Sequence, residues 1–332
     1  MDRLTSDEVA DRLVKDKAKF IKHHNVWLAE KENWKQMQAS YLKDKHTIVI
    51  GRDFSQNIAC EAQLETQSMY MNRKSLMLHV SIIWYLEHKY YLYTGGNMAV
   101  HRPEIVLLAL KRAVDFIESE HDVKLKLVVT NSDNCKEQFK SGKVWSLHLS
   151  FAYEYDVKLL LCFGTPQHGK GEVDSAAGSG FKLIVKRDIW SGVIKGLSNI
   201  QQCFESVQRK DSTSKVTKVY QEVTQQELDA LIATQKTIDD DSKPYALAGS
   251  ESCFMIEINA TGINVDGKIA STWPLRVKKQ LSGGNDDWIT HGLVGNKRVQ
   301  VKVLASTMAV FVKFKTDFLC QFWNFLKPFQ LL

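Results

Sequence analysis

Carboxylates recur where apolar segments of this chain end. Asp53 closes the β-branched run Thr47-Ile48-Val49-Ile50-Gly51-Arg52, and Asp133 stands just past Leu125-Lys126-Leu127-Val128-Val129-Thr130. Glu172 and Asp174 follow the apolar run Val157 to Phe163 across the loop Gly164-Thr165-Pro166-Gln167-His168-Gly169-Lys170-Gly171. Three acids at strand ends offer hard oxygen ligands, and with open water positions they suit two Mg²⁺ or Mn²⁺ ions rather than zinc. Two such ions, about 3.5–4 Å apart, stabilise the attacking and leaving oxygens of an in-line displacement, so the chemistry indicated is phosphoryl transfer. The loop glycines let the backbone approach a ligand. His168 could hold a phosphate or shuttle a proton, and Lys170 could hold a phosphate. Each residue also has a plainer use. Asp53 could cap the next turn, Asp133 could form an Asx turn with Cys135, and His168 could bond locally. Acids at a helix start are favourable whatever the function.

The elements that must position these groups are legible as periodicity. Thr5-Ser6-Asp7-Glu8 has the spacing of a capping box, and Val9, Leu13, Phe20, Val26, Trp27 and Trp34 between lysines predict an amphipathic helix to about Leu42. Residues 47–53, Ser75 to Leu86 and Tyr90 to Tyr93 read as three strands of an antiparallel meander. Pro103 to Ser119 reads as a crossover helix, residues 125–130 as a strand, Phe139 to Tyr155 as a helix, 157–163 as a buried strand, and Ala176 to Trp190 as a helix weakened by Gly178 and Gly180. A meander followed by right-handed crossovers is the order of a ribonuclease-H-like α/β fold, a mixed sheet flanked by helices. In that order the first and fourth strands end side by side, and Asp53, Asp133 and Asp174 converge. The division predicted is an N-terminal helical segment over 1–44, a core over 45–200 and a small α+β appendage over 201–332. The appendage should carry a helix opened by Thr224-Gln225-Gln226-Glu227 and a break at Asp239-Asp240-Asp241. Its predicted strands lie at Phe254 to Ile258 and Val299 to Val303.

Composition narrows the partners. Across 332 residues, 44 Lys and Arg against 38 Asp and Glu leave a net charge of +6, which permits an anionic partner such as DNA without demanding one. Six cysteines without a C-x-x-C pair argue against structural zinc and against a disulfide framework. No run reaches the roughly twenty apolar residues of a membrane span, and the N-terminus lacks a signal-peptide core, so a soluble intracellular protein is expected. The apolar stretch Phe318 to Leu332 is interrupted by polar residues and suits a buried or partner-bound segment, leaving self-association open.

Several short motifs, in order, carry a resemblance. Asp53-Phe54-Ser55-Gln56-Asn57 is followed by Glu65-Thr66-Gln67-Ser68, then by Ser132-Asp133 with Gln138-Phe139-Lys140, then by His168-Gly169-Lys170-Gly171 with Asp174. Together, over roughly Lys35 to Arg187, these resemble the catalytic core of eukaryotic cut-and-paste DNA transposases of the CACTA, Mirage and Chapaev group. The resemblance implies an RNase-H-like DDE/D core that cleaves and joins DNA at the ends of a transposable element, in the nucleus, with two Mg²⁺ or Mn²⁺ ions. It implies Asp53, Asp133 and Asp174 as ligands, His168 as a catalytic neighbour, and Lys140 and Lys170 as substrate-binding residues. The chain departs from the family pattern at Gln56, Asn134, Glu172-Val173 and Ser175, and no cysteine-rich DNA-binding segment precedes the core. These departures fit a truncated or host-derived copy, and a catalytically inactive DNA-binding or interaction protein is the alternative. Glu172 competes with Asp174 for the third ligand position. Two residues apart on a helix diverge by about 200°, so only one can face the strand ends, and Asp174 matches the family acid.

Overall fold

The computed structural model describes residues 6–62, 67, 71, 73–133, 135–139, 142–164, 171–210 and 216–241, and beyond them 253–259, 264–265, 268–269, 274–279, 289–294 and 297–302. Its spine is a mixed sheet. β1 (Thr47–Phe54) lies between β3 (Ser75–Tyr85), antiparallel to it, and β5 (Leu127–Ser132), parallel to it. β4 (His88–Gly96) pairs antiparallel with β3, and β6 (Lys158–Phe163) pairs parallel with β5. The short β2 (Ile58–Ala59) hangs on the start of β3. The meander and the parallel crossovers therefore fall in the predicted order, and β1 and β5 run side by side in the same direction.

Residues after 200, expected as an appendage, supply strands to both sides of this sheet. β7 (Thr217–Val223) pairs parallel with β4, and β8 (Cys253–Asn259) pairs antiparallel with β6. The mixed body thus runs β8-β6-β5-β1-β3-β4-β7. β11 (Pro274–Lys279), β12 (Ile289–Val294) and β13 (Lys297–Lys302) extend it beyond β8 as an antiparallel run, while β9 (Asn264–Val265) and β10 (Lys268–Ile269) form a separate antiparallel pair among the described residues.

Helices cover both faces because the central strands are apolar on both sides, as parallel strands must be when crossovers stack on them. α1 (Ser6–Tyr41) packs its last turns, Trp34, Met37 and Tyr41, on Val49, Val129, Leu160 and Cys162. α2 (Pro103–His121) places proline in its first turn and ends at Asp122 in the left-handed region, φ 47°. With α3 (Lys136–Phe139) and α4 (Gly142–Tyr155) it buries Ile48, Ile50, Val128 and Leu159 on one face. The other face is closed by α5 (Glu172–Ala177), a π turn (Gly178–Lys182), α6 (Leu183–Trp190) and α7 (Ile200–Gln208), which bury Leu78, Val80, Ile82 and Tyr93. α8 (Gln225–Asp241) packs Leu228 and Ile232 near Met77 and Ile105.

Three details correct the sequence reading. The helix predicted from Ala176 starts at Glu172, and Gly178 and Gly180 lie inside it, where they form the π turn instead of weakening a first turn. The acidic triplet Asp239-Asp240-Asp241 is the last turn of α8 and not a break. Asp133 follows a strand that ends at Ser132, two residues later than predicted. Thr5 of the first capping box and the stretch Phe318 to Leu332 lie outside the described residues.

Candidate active site

Strand alternation sets the site. Ile48 and Ile50 face α2 and α4, so Val49, Gly51 and Asp53 face the other way, toward α1 and α5. The close approach at Gly51 is needed there, since a Cβ would lie 3.1 Å from the Trp84 ring and 3.3 Å from Val173. α5 therefore starts directly over the end of β1. Its first turn carries Glu172 and Asp174, and the two carboxylates part as helical geometry requires. Glu172 turns to β4, where Lys89 Nζ (2.8 Å) and Tyr91 OH (2.7 Å) donate to its Oε1. Burial pushes the Glu172 carboxyl up, but those two donors outweigh it and hold it below the usual carboxylate range. Asp174 instead shares a cleft of about 240 Å³ with Asp53, lined also by Phe54, Ser55, Gln56, Val173, Ala177, Gly178 and Lys182.

Asp53 is the perturbed acid. Its Oδ1 accepts the Phe54 N–H at 2.7 Å, yet its carboxyl is pushed up to about 7. Burial is the largest cause, the charge of Asp133 comes next, and Asp174 adds a smaller push, while the Phe54 N–H pulls the other way. Asp133, just past β5, and Asp174, in the first turn of α5, thus both lie close enough to Asp53 to raise its carboxyl. Asp133 Oδ1 accepts the Cys135 N–H at 3.1 Å, the Asx turn foreseen as its plainer use. Asp174 Oδ2 accepts the Gly171 N–H at 2.9 Å and closes the helix start.

Oxygen-only donors and a half-buried, charge-strained Asp53 suit a hard divalent cation. Among the described residues, however, no three His, Cys, Asp or Glu side chains stand close enough to hold one ion together. His168, Lys170 and Lys140 lie outside the described residues.

Lys182 was missed. It lines the cleft, and burial, helped by Lys186, lowers its ammonium from the ordinary value. In a straight α-helix a residue eight beyond Asp174 sits about 80° round the axis. The π turn takes up an extra residue and brings Lys182 back toward the cleft side. The glycine pair Gly178 and Gly180 was the only trace of that turn in the sequence.

The sequence matches the family described as Domain of unknown function (DUF8701) over residues 31–249, and the chain belongs to that family. No curated protein and no solved structure matches it. Among the described residues no helix is long and apolar enough to cross a membrane.

Proposed function

We propose that the chain is a transposase-derived, RNase-H-like phosphoryl-transfer protein acting on DNA in the nucleus, with Asp53, Asp133 and Asp174 as its acids. The observation that carries this reading is the cleft that Asp53 at the end of β1 shares with Asp174 at the start of α5, with Asp133 just past the neighbouring parallel strand and close enough for its charge to help raise Asp53 to about 7. The ordered motifs around those same residues support it. Mg²⁺ or Mn²⁺, when bound, would supply charge for the developing oxyanions. Asp53 and Asp133 would hold it, and Asp174 would join them after leaving the Gly171 N–H. Lys182, which also lines the cleft, offers a cation to a phosphate of the bound strand.

A second reading, a DNA-binding protein without catalysis, is favoured by the two acids already engaged in local hydrogen bonds, Asp133 with Cys135 and Asp174 with Gly171. Incubating the chain with supercoiled duplex DNA and Mn²⁺ separates the two. Metal-dependent nicking is expected, lost by roughly 100-fold or more in Asp53→Asn and Asp174→Asn and largely kept in Glu172→Gln. DNA binding that weakens steeply with salt, without nicking under any metal, gives the second reading.

A further inference from the structure

The helix that leaves the acid cleft turns a mixed face to solvent. In α6 the side chains of Val185, Asp188 and Ile189 are buried, while Leu183, Lys186, Arg187 and Trp190 are exposed. Residues three, four and seven apart share one side of a helix, so these four form a single surface, with Lys186 and Arg187 between Leu183 and Trp190. Lys182, the residue before Leu183, joins that surface to the acid site. It lines the cleft, and the charge of Lys186 one turn on reaches it.

Two properties of the face point to one kind of partner. Trp190 is 65% exposed, although tryptophan is highly buried on average, and Leu183 and Val193 beside it in sequence are exposed as well. The face is also cationic. Asp188 is the one acid of α6, and it is buried and accepts from Ser206, Arg209 and Lys210, so nothing on this helix offsets Lys182, Lys186 and Arg187. Cations next to an exposed aromatic ring complement a polyanion that also presents flat apolar faces. A nucleic acid strand is both, and only unpaired bases have their faces open to stacking. Paired DNA would engage the cations and leave Trp190 unused.

We propose that the outer face of α6 binds a single-stranded flank of the DNA whose phosphodiester lies in the cleft, with Lys182, Lys186 and Arg187 on its phosphates and Trp190 stacked on an unpaired base. This rests on the reading of the cleft as a phosphoryl-transfer site. The helix rises about 12 Å from Lys182 to Trp190. A DNA strand advances about 3.4 Å per nucleotide, so the stacked base lies about four nucleotides from the phosphate at Lys182.

The test is fluorescence anisotropy without divalent metal, using labelled duplexes that are blunt or carry flanks of about two to about six unpaired nucleotides. Binding should tighten roughly fivefold or more once the flank reaches about four nucleotides. Trp190→Ala, a change at an exposed position, should remove that gain and leave blunt-duplex binding unchanged, while Trp190→Phe should keep most of it. Lys186→Gln combined with Arg187→Gln should reduce the log–log salt slope for flanked DNA by about 1.4, at about 0.7 per phosphate contact on a single strand. A gain that survives Trp190→Ala, or no gain at any flank length, overturns the proposal and leaves the face to a protein partner. An unchanged salt slope overturns it too. Because the assay needs no metal, missing nicking beside a Trp190-dependent gain sinks only the catalytic reading, and intact nicking without that gain sinks only this proposal.

Discussion

Two neighbouring residues of β1 meet opposite fates. Asp53 turns into a cleft that solvent reaches, where burial and two other acids hold its proton on to about 7. Arg52 turns into a closed core between His79 and His148, where burial lowers the guanidinium to about 9 and leaves both imidazoles neutral, at about 3. One face keeps an ionisable group poised for use, and the other locks its groups in a single protonation state. Alternation along a strand lets a sheet do both within two residues.

The largest expected effect is on acid stability, where the two faces pull in opposite directions. His79 and His148 have folded values below the unfolded 6.5, so their contribution is fully present above pH 6.5 and is lost as pH falls toward 3. Asp53 has a folded value above the unfolded 3.8, so its contribution is fully present below pH 3.8 and is lost as pH rises through 7. Near pH 5 the unfolded chain holds about two protons on the histidines while the native chain holds about one, at Asp53. The net slope is about 1.4 kcal/mol per pH unit. Asp53→Asn, which keeps an acceptor for the Phe54 N–H, should raise stability at pH 8 and steepen the acid limb toward two protons. Urea unfolding across pH 4–8 measures both. An acid limb unchanged by Asp53→Asn would break the contrast between the faces.

A middle-sized effect tests how tightly the cleft face is fixed away from the acids. Gly95 on β4 meets α7, and a Cβ there would stand 2.5 Å from Ile200 Cγ1 and 3.0 Å from Phe204 Cζ. α7 has little room to retreat. Asn199 and Gln202 cap its first turn reciprocally, the Ile200 N–H donates to Asn97 Oδ1 at 2.7 Å, and buried Asp188 of α6 accepts from Ser206, Arg209 and Lys210. Gly95→Ala should cost roughly 1–3 kcal/mol through overpacking. A neutral result in denaturant unfolding would mean that α7 is loosely held and the whole face adjustable.

What could be read beforehand follows from the range of each interaction. β1, β3, β4, β5 and β6 were legible because β-branched and aromatic runs report local burial, and Pro103 marked the start of α2. The pairing of β7 with β4 and of β8 with β6 joins residues more than ninety apart, and nothing local announces it. The acids at strand ends stood out as a pattern. Arg52 did not, because a lone charge near the end of a strand looks like a solvent-facing residue until the sheet closes over it. Lys182 depended on a π turn, a backbone choice that the two glycines permit but do not dictate.

The smallest effect concerns the acid that the cleft does not use. Glu172 accepts from Lys89 and Tyr91 on β4, and its side chain is 39% exposed, so solvent screens much of the ion pair. Glu172→Gln keeps an acceptor oxygen for Tyr91 and loses the charge opposite Lys89, and it should cost about 0.5–1 kcal/mol or less, diminished further in high salt. That loss should fall on the anchoring of α5 to β4 and leave the pH dependence set by Asp53 unmoved, since Glu172 is not among the groups that raise it. Measuring the Asp53 titration by carbon-detected NMR in both proteins separates the two carboxylates. An Asp53 midpoint that moves in Glu172→Gln would place Glu172 within the acid cluster and undo the assignment of Asp174 as the residue that faces the strand ends.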